Sequence, residues 1–239
     1  MYDLTVIIPT FKEESNIENV IDEVDKVFMK NNLRGEILVV DDNSPDKTIA
    51  IVNNLKNVKP NLNLIVRTSD RGLSQSVVEG FNSASSEIFI VIDADLSHPI
   101  ERIPTMYNVI ISGFDIVIGS RYMEGGGIKK WPLKRRIISI GATLLGRILF
   151  PRVSDPVSGF FAVKRKVVLN APLKPKGYKI LLEILGKGYW DKGEEIPYEF
   201  INREVGSSKM TIKTIIEYMD QVINIAIFMI SDKIKSKKN

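Results

Sequence analysis

Hydrophobic residues in the first half of the chain fall into short β-branched runs separated by longer stretches with helical spacing. The runs are LTVIIPT from Leu4, EILVVDD from Glu36, LNLIVR from Leu62, IFIVID from Ile88 and DIVIGSR from Asp115. Between them, apolar positions three or four apart predict helices over about Asn16–Met29, Asp46–Asn57, Ser74–Ala84 and Ile100–Ser112. Nearly continuous apolar strands alternating with helices predict an α/β fold, a mostly parallel sheet with helices on both faces. Ligands of such sheets bind beyond the carboxyl ends of the strands. Polar residues gather there: Pro9 and Thr10 after the first strand, Asp41 and Asp42 after the second, and Arg67 after the third. Asp93 and Asp95 follow the fourth strand and Arg121 the fifth. That edge is the candidate site.

Beyond Arg121 the alternation fades. YMEGGGIKKWP reads as a mobile glycine-rich loop, followed by a basic amphipathic helix over about Leu133–Phe150. VSDPVSGFFAVKR reads as a turn entering a strand, GYKILLEILGKG as a helix and EEIPYEFINR as one alternating strand. A last helix is expected over about Thr211–Lys235. Its longest charge-free stretch, QVINIAIFMIS, has eleven residues. A bilayer-crossing helix needs about 20, so no membrane span is expected. No internal repeat or low-complexity linker is apparent.

A length of 239 residues, 44% of them hydrophobic, allows one large domain with a real core. The net charge of +4 is too mild to suggest nucleic acid. Where the charge sits matters more: KKWPLKRR (Lys129 to Arg136) and DKIKSKKN (Asp232 to Asn239) concentrate it. The sequence has no cysteine, which excludes disulfides, thiol nucleophiles and thiolate zinc sites and suits the cytosol. The first residues enter a strand directly, without a signal-peptide pattern.

The candidate chemistry centres on FIVIDADLSHP, Phe89 to Pro99. The strand is expected to end in two carboxylates pointing the same way: successive strand side chains alternate faces, so Asp93 and Asp95 project from one side of the chain. Two carboxylates that close destabilise each other unless a cation or proton lies between them. Hard oxygen ligands of this kind suit Mg2+ or Mn2+ gripping a substrate's phosphates. The plainer alternative is that Asp95 caps the next helix and Asp93 merely ends the strand. VVDDNSPDKT offers acidic groups to a base or ribose, or else only a turn capped through Ser44 or Asp46. Neither G-x-G-x-x-G nor a P-loop occurs, so phosphates would have to be held by a cation and arginines.

VIIPTFKEESNI, VVDDNSPDKT, RGLSQSVVEGF, DADLSHP, GSRY and SDPVSGFFAVKR together resemble the successive motifs of the family 2 glycosyltransferases. Within them they are similar to the dolichyl-phosphate mannose synthases and related polyprenyl-phosphate hexose transferases. The resemblance covers about residues 4 to 210. It implies a nucleotide-diphospho-sugar transferase (GT-A type) fold with a catalytic domain over 1–210, including a basic amphipathic interface helix at 129–150. A C-terminal amphipathic helix and basic tail would occupy 211–239.

By the same resemblance, Pro9, Thr10, Glu13 and Asp42 contact the nucleotide, and Asp93 and Asp95 handle the metal and diphosphate. Arg121 contacts the donor side of the reaction centre, Arg135 and Ser139 engage the lipid phosphate, and Arg203 and Lys209 clamp the diphosphate. The chain departs from the pattern at Ser97, where many relatives have a metal-holding Gln; a water or a looser site is expected there. It departs again at Gly72–Ser74, where GLS replaces GLG. His98, the only histidine, is expected to orient the loop after the aspartates rather than act as a base.

The implied reaction is inverting transfer of mannose from GDP-mannose to dolichyl (polyprenyl) phosphate, aided by a divalent cation. The alternatives are a UDP-glucose or UDP-N-acetylglucosamine donor, a nucleotidyltransferase, and a non-catalytic membrane-anchoring subunit. Ile137, Ile138, Leu144, Leu145, Ile148 and Leu149 alternate with Arg135, Arg136 and Arg147 in the basic helix. The last helix places Ile212, Ile215, Ile216, Met219, Val222, Ile223, Ala226 and Ile230 three or four apart before four lysines. Basic amphipathic helices of this kind lie in the membrane interface, so peripheral attachment to the cytoplasmic side of a membrane is expected, with a membrane-anchoring subunit as a possible partner.

Overall fold

Strands and helices alternate through the first half of the computed structural model, which describes residues 2–129, 131–174, 177–201 and 212–236. In chain order these are β1 (Leu4–Thr10), α1 (Ile17–Lys30), β2 (Gly35–Asp41), α2 (Thr48–Lys56), β3 (Leu62–Val66), α3 (Leu73–Ser83), β4 (Ile88–Val91), α4 (Ile103–Ile111) and β5 (Ile116–Ser120). The second half holds β6 (Gly127–Lys129), α5 (Leu133–Leu149), β7 (Phe161–Lys164), α6 (Arg165–Val168), α7 (Ile180–Lys187), β8 (Gly193–Pro197), β9 (Glu199–Ile201) and α8 (Ile212–Ser236). β1, β2, β4 and β5 are buried along their whole length. Hence their central residues are nearly all apolar, and the buried exceptions Thr5 and Glu36 hydrogen-bond each other at 2.7 Å.

Seven strands form one sheet in the order β3-β2-β1-β4-β7-β5-β8. All neighbours pair in parallel except β7, which runs antiparallel between β4 and β5. An apolar run encodes burial but not direction, so the reversed strand is invisible in the pattern. Side chains alternate across the sheet and feed a core on each face. Val6 and Ile8 meet Val20, Ile21 and Val24 of α1 and Ile103 and Met106 of α4. On the other face Ile7 and Leu38 join Val77 and Phe81 of α3, Leu181 and Ile184 of α7, and Ile225 of α8.

Three expectations are corrected. The glycine-rich segment is not simply a loop: its Gly127–Lys129 strand pairs in parallel with β9 in a second, two-stranded sheet. The run EEIPYEFINR is not one strand, because β8 pairs with β5 in the main sheet while β9 leaves it for β6. The third concerns α8, where Thr214–Asp232, 19 residues, is long and apolar enough to cross a membrane. Counting only the charge-free run overlooked this, since Glu217 and Asp220 interrupt the run but leave the helix apolar on average. One side of α8 is packed: Ile225 is fully buried and the missing side chain of Gly186 in α7 makes room for it. Tyr218 Oη donates to the Ala142 carbonyl of α5 at 2.6 Å. Ile216, Ile223, Ile227, Ile230 and Ile234 are exposed on α8, as are Leu133, Ile137, Leu144 and Ile148 on α5.

Candidate active site

At the carboxyl edge of the sheet lies a cavity of about 880 Å³. Its first wall is built by the loops after β1 and β2. Asp41, fully buried, accepts the Ser44 amide at 2.6 Å, the Ser44 hydroxyl at 2.7 Å and Thr10 Oγ1 at 3.0 Å. Asp46 accepts the Thr48 amide at 3.1 Å and so begins α2. The two loops are tied together by Lys12 N–H on Ser44 Oγ (2.9 Å) and Glu13 N–H on Thr48 Oγ1 (3.0 Å). The acidic pair therefore divides: Asp41 locks the turn, while Asp42 lines the cavity with Pro9, Thr10 and Glu13. Asp42 is itself held by Arg67 Nη1 at 2.6 Å, Ser76 Oγ at 2.9 Å and the Gly72 amide at 2.6 Å. Gly72 sits at φ +149°, open to glycine alone without strain. Ser74, the residue that departs from GLG, is fully buried at the start of α3.

Asp93 and Asp95 both line the cavity, but not from a strand. β4 ends at Val91, and the aspartates occupy a turn in which Leu96 adopts φ +58°. The face-sharing argument from strand alternation is thereby corrected; the turn, not the pleat, brings the carboxylates together. Asp95 Oδ1 accepts the Ser97 amide at 3.1 Å. Ser97 is buried, and its hydroxyl has no hydrogen-bond partner among the described residues. Opposite stands Gly159, where a Cβ would lie 3.5 Å from Asp93 Oδ1. Two carboxylates, an orphaned hydroxyl and a glycine-lined recess fit a hard divalent cation. No three acidic, His or Cys side chains among the described residues are placed to hold one metal ion together, so substrate oxygens and water would complete its shell. His98 lies behind the pair, and burial lowers its pKa below the ordinary histidine value against the pull of Asp93 and Asp95.

Arg121 closes the far side. Its Nε and Nη2 form a fork on the fully buried Asp155, at 2.7 and 2.9 Å, and its own amide reaches the same carboxylate at 3.1 Å. Burial alone would depress the Arg121 pKa, but the Asp155 charge and hydrogen bonds raise it above the ordinary value. Asp155 is positioned in turn by Glu195 of β8, which accepts the Ser154 and Asp155 amides at 2.7 and 3.1 Å. Arg147 of α5 donates to the Ser154 carbonyl at 2.9 Å.

On α5, Arg135 stacks over the Trp131 ring at 4.1 Å. Ser139 Oγ lies 3.0 Å from the Tyr122 hydroxyl, which donates to it. Both line the cavity, followed by Ile138, Ala142 and Leu145 of α5 and Ile215 and Met219 of α8. Arg203 and Lys209 lie outside the described residues. Pro9, Thr10, Glu13, Asp42, Asp93, Asp95, Arg121, Arg135 and Ser139 thus meet around one space.

Sequence reasoning missed Lys179. It lines the cavity, its Nζ donates to the Val157 carbonyl at 3.3 Å, and burial, then the Arg121 charge, bring its pKa down to about 8. The available signal was a lone lysine immediately before the apolar run ILLEIL, too common to single out.

The family model described as "Glycosyl transferase family 2" matches residues 5–170. The dolichol-phosphate mannosyltransferase of Pyrococcus furiosus is 45% identical over 222 residues, 92% of this chain and 62% of that protein. The chain therefore spans less than two thirds of that relative. Proteins of the same name from Mycosarcoma maydis and Saccharomyces cerevisiae are 36% and 34% identical, with 78% and 88% of their lengths covered and 92% and 95% of this chain. Among solved structures, glucosyl-3-phosphoglycerate synthase from Mycobacterium tuberculosis, in complex with Mn2+, UDP and glucosyl-3-phosphoglycerate, superposes with a TM-score of 0.67. It is 21% identical, with 95% of this chain and 79% of that chain covered. At that identity the likeness establishes the fold, which is GT-A-like.

Proposed function

Since the chain belongs to glycosyl transferase family 2, we propose that it moves mannose from GDP-mannose to dolichyl or another polyprenyl phosphate, giving the β-linked mannosyl phosphate. The observation that carries this reading is the continuity of one cavity. It runs from the Asp42 wall, past Asp93 and Asp95, to the apolar sides of α5 and α8. A polar donor and an apolar acceptor tail could meet in a single space of this kind. The names of the three dolichol-phosphate mannosyltransferases it resembles support mannose as the group moved and dolichyl phosphate as the acceptor.

In this reading a nucleotide rests on Pro9, Thr10, Glu13 and Asp42, with its diphosphate toward Asp93 and Asp95. Those carboxylates, with Ser97 nearby, would hold a divalent cation, which would supply positive charge against the diphosphate; the Mn2+ of the M. tuberculosis neighbour supports the choice of a divalent ion. Lys179 faces the same anion, and Arg203 and Lys209 are assigned there from the family resemblance. Arg135 and Ser139 hold the acceptor phosphate.

That phosphate is already anionic at neutral pH, so it needs aim rather than deprotonation. One of its oxygens forms a bond to the anomeric carbon as the bond to the diphosphate oxygen breaks. The leaving electron pair stays on GDP, whose growing charge the cations stabilise. Attack from the opposite side inverts an α-linked donor to a β-linked product.

The exposed isoleucines of α5 and α8, beside Arg135 and Arg136, support a membrane surface as the place where the acceptor is met. The cytoplasmic side is the proposed side, and a membrane-anchoring subunit is a further proposed partner.

The test is transfer to a short polyprenyl phosphate from a panel of GDP- and UDP-sugars, with and without Mn2+. Metal-dependent transfer from GDP-mannose is expected. Transfer from UDP-glucose or UDP-N-acetylglucosamine alone would overturn the donor assignment. No transfer from any sugar nucleotide would favour the anchoring-subunit alternative.

A further inference from the structure

Behind the aspartate turn, His98 is 4% exposed and its ring stacks on Phe160 at 5.3 Å and 17°. Tyr198 and Phe200 present their edges at 5.8 and 5.9 Å. Packing alone would suit a phenylalanine there. The imidazole differs in what its two nitrogens meet. Nδ1 accepts the backbone amide of Asp93 at 3.0 Å. An amide can only donate, so Nδ1 must carry the lone pair and, in the neutral ring, the proton sits on Nε2. Nε2 lies 3.7 Å from Asp93 Oδ2. One rigid ring therefore addresses both the main chain and the carboxylate of the same residue. Gly159 leaves room for the pair on the other side: a Cβ there would stand 3.3 Å from His98 Cε1 and 3.5 Å from Asp93 Oδ1. His98 of DADLSHP and Gly159 of SDPVSGFF, 61 positions apart in the chain, meet at this point.

We infer that His98 is a positioning residue: as the Nε2–H tautomer it fixes the Asp93 backbone through Nδ1 and keeps its N–H on the side of the Asp93 carboxylate, which would hold the cation. The role rests on the assignment of Asp93 to the cation site. Residues that orient a metal's ligands from behind typically change affinity or activity about 10- to 100-fold when replaced.

Because His98 is the only histidine, its nitrogens can be read without ambiguity in the full chain. A long-range 1H–15N spectrum of labelled protein in detergent should show Nδ1 unprotonated and Nε2 protonated, both before and after addition of Mg2+ and GDP. A proton on Nδ1 overturns the inference, with no variant required.

His98→Phe keeps the stacking but removes both nitrogens. Titration of Mn2+ in the presence of GDP, followed by loss of the free-ion EPR signal, should show about 10- to 100-fold weaker binding. His98→Asn retains an acceptor for the Asp93 amide and should recover part of that loss. Wild-type Mn2+ affinity in His98→Phe, with Asp95→Asn impaired, overturns the positioning role and leaves the cation site standing. Wild-type affinity in both variants overturns the cation site and the role together.

Discussion

Replacing Asp155 with leucine leaves the Arg121 guanidinium, 7% exposed, without the carboxylate that accepts its Nε, its Nη2 and its amide. A buried ion pair is not in itself a large source of stability, because both charges were desolvated to make it. Stranding one of them is costly, about 3–5 kcal/mol. For a chain of this length each kcal/mol moves Tm by about 2–4 °C, so Asp155→Leu should lower Tm by about 6–20 °C. Arg121→Met should also destabilise, by stranding the carboxylate instead. The double variant, Arg121→Met with Asp155→Leu, strands neither charge and should recover much of the loss. It should nevertheless remain inactive, since the guanidinium at the cavity wall is gone. Differential scanning calorimetry on the three variants, beside sugar-transfer assays, separates the pair's structural role from its chemical one. A Tm for Asp155→Leu within about 2 °C of wild type would refute the reasoning, as would a double variant no more stable than either single one.

Asp95→Asn should abolish turnover with an unchanged Tm; near-normal rates in that variant would remove the metal assignment. Arg135→Ala should mainly raise the acceptor KM, and an unchanged acceptor KM in steady-state assays would count against its place at the lipid phosphate. Lys179 has its pKa depressed to about 8, burial being the largest cause. Between pH 8 and the unperturbed lysine value the unfolded chain binds the extra proton, so this group adds stability as pH rises through that window. Its unfavourable charge is fully present below about 8. Lys179→Met should therefore raise Tm at pH 7 while weakening donor binding, both readable by thermal melts with and without GDP-mannose. A lower Tm with donor KM unchanged would overturn the assignment.

How far the sequence carries depends on the range of the interaction that makes each feature. β1 to β5 and the helices between them were legible because burial on both faces imposes composition residue by residue, and periodicity reports it directly. α5 was legible from the helical spacing of its apolar and basic residues, although Leu133, Ile137, Leu144 and Ile148 are exposed. The direction of β7 was not, because pairing with β4 or with β5 asks for the same apolar residues whichever way the strand runs. The carboxylate pair was singled out by its spacing, though for a mistaken reason: β4 ends at Val91, and a tight turn through Leu96, not a strand, carries Asp93 and Asp95 to the cavity. Asp155 and Glu195 show the opposite case. Their value lies in hydrogen bonds that cross the chain, Asp155 to Arg121 and Glu195 to the amides of residues 154 and 155. Asp155 lies within the motif SDPVSGFF, but no local pattern names Arg121 as its partner or sets Glu195 apart from a solvated carboxylate. Lys179 is the limiting example, since only the cavity that other elements close around it makes the charge unusual. Side chains whose chemistry is created by tertiary surroundings must be found in the structure, and in this fold they lie behind the residues that sequence motifs bring to the cavity.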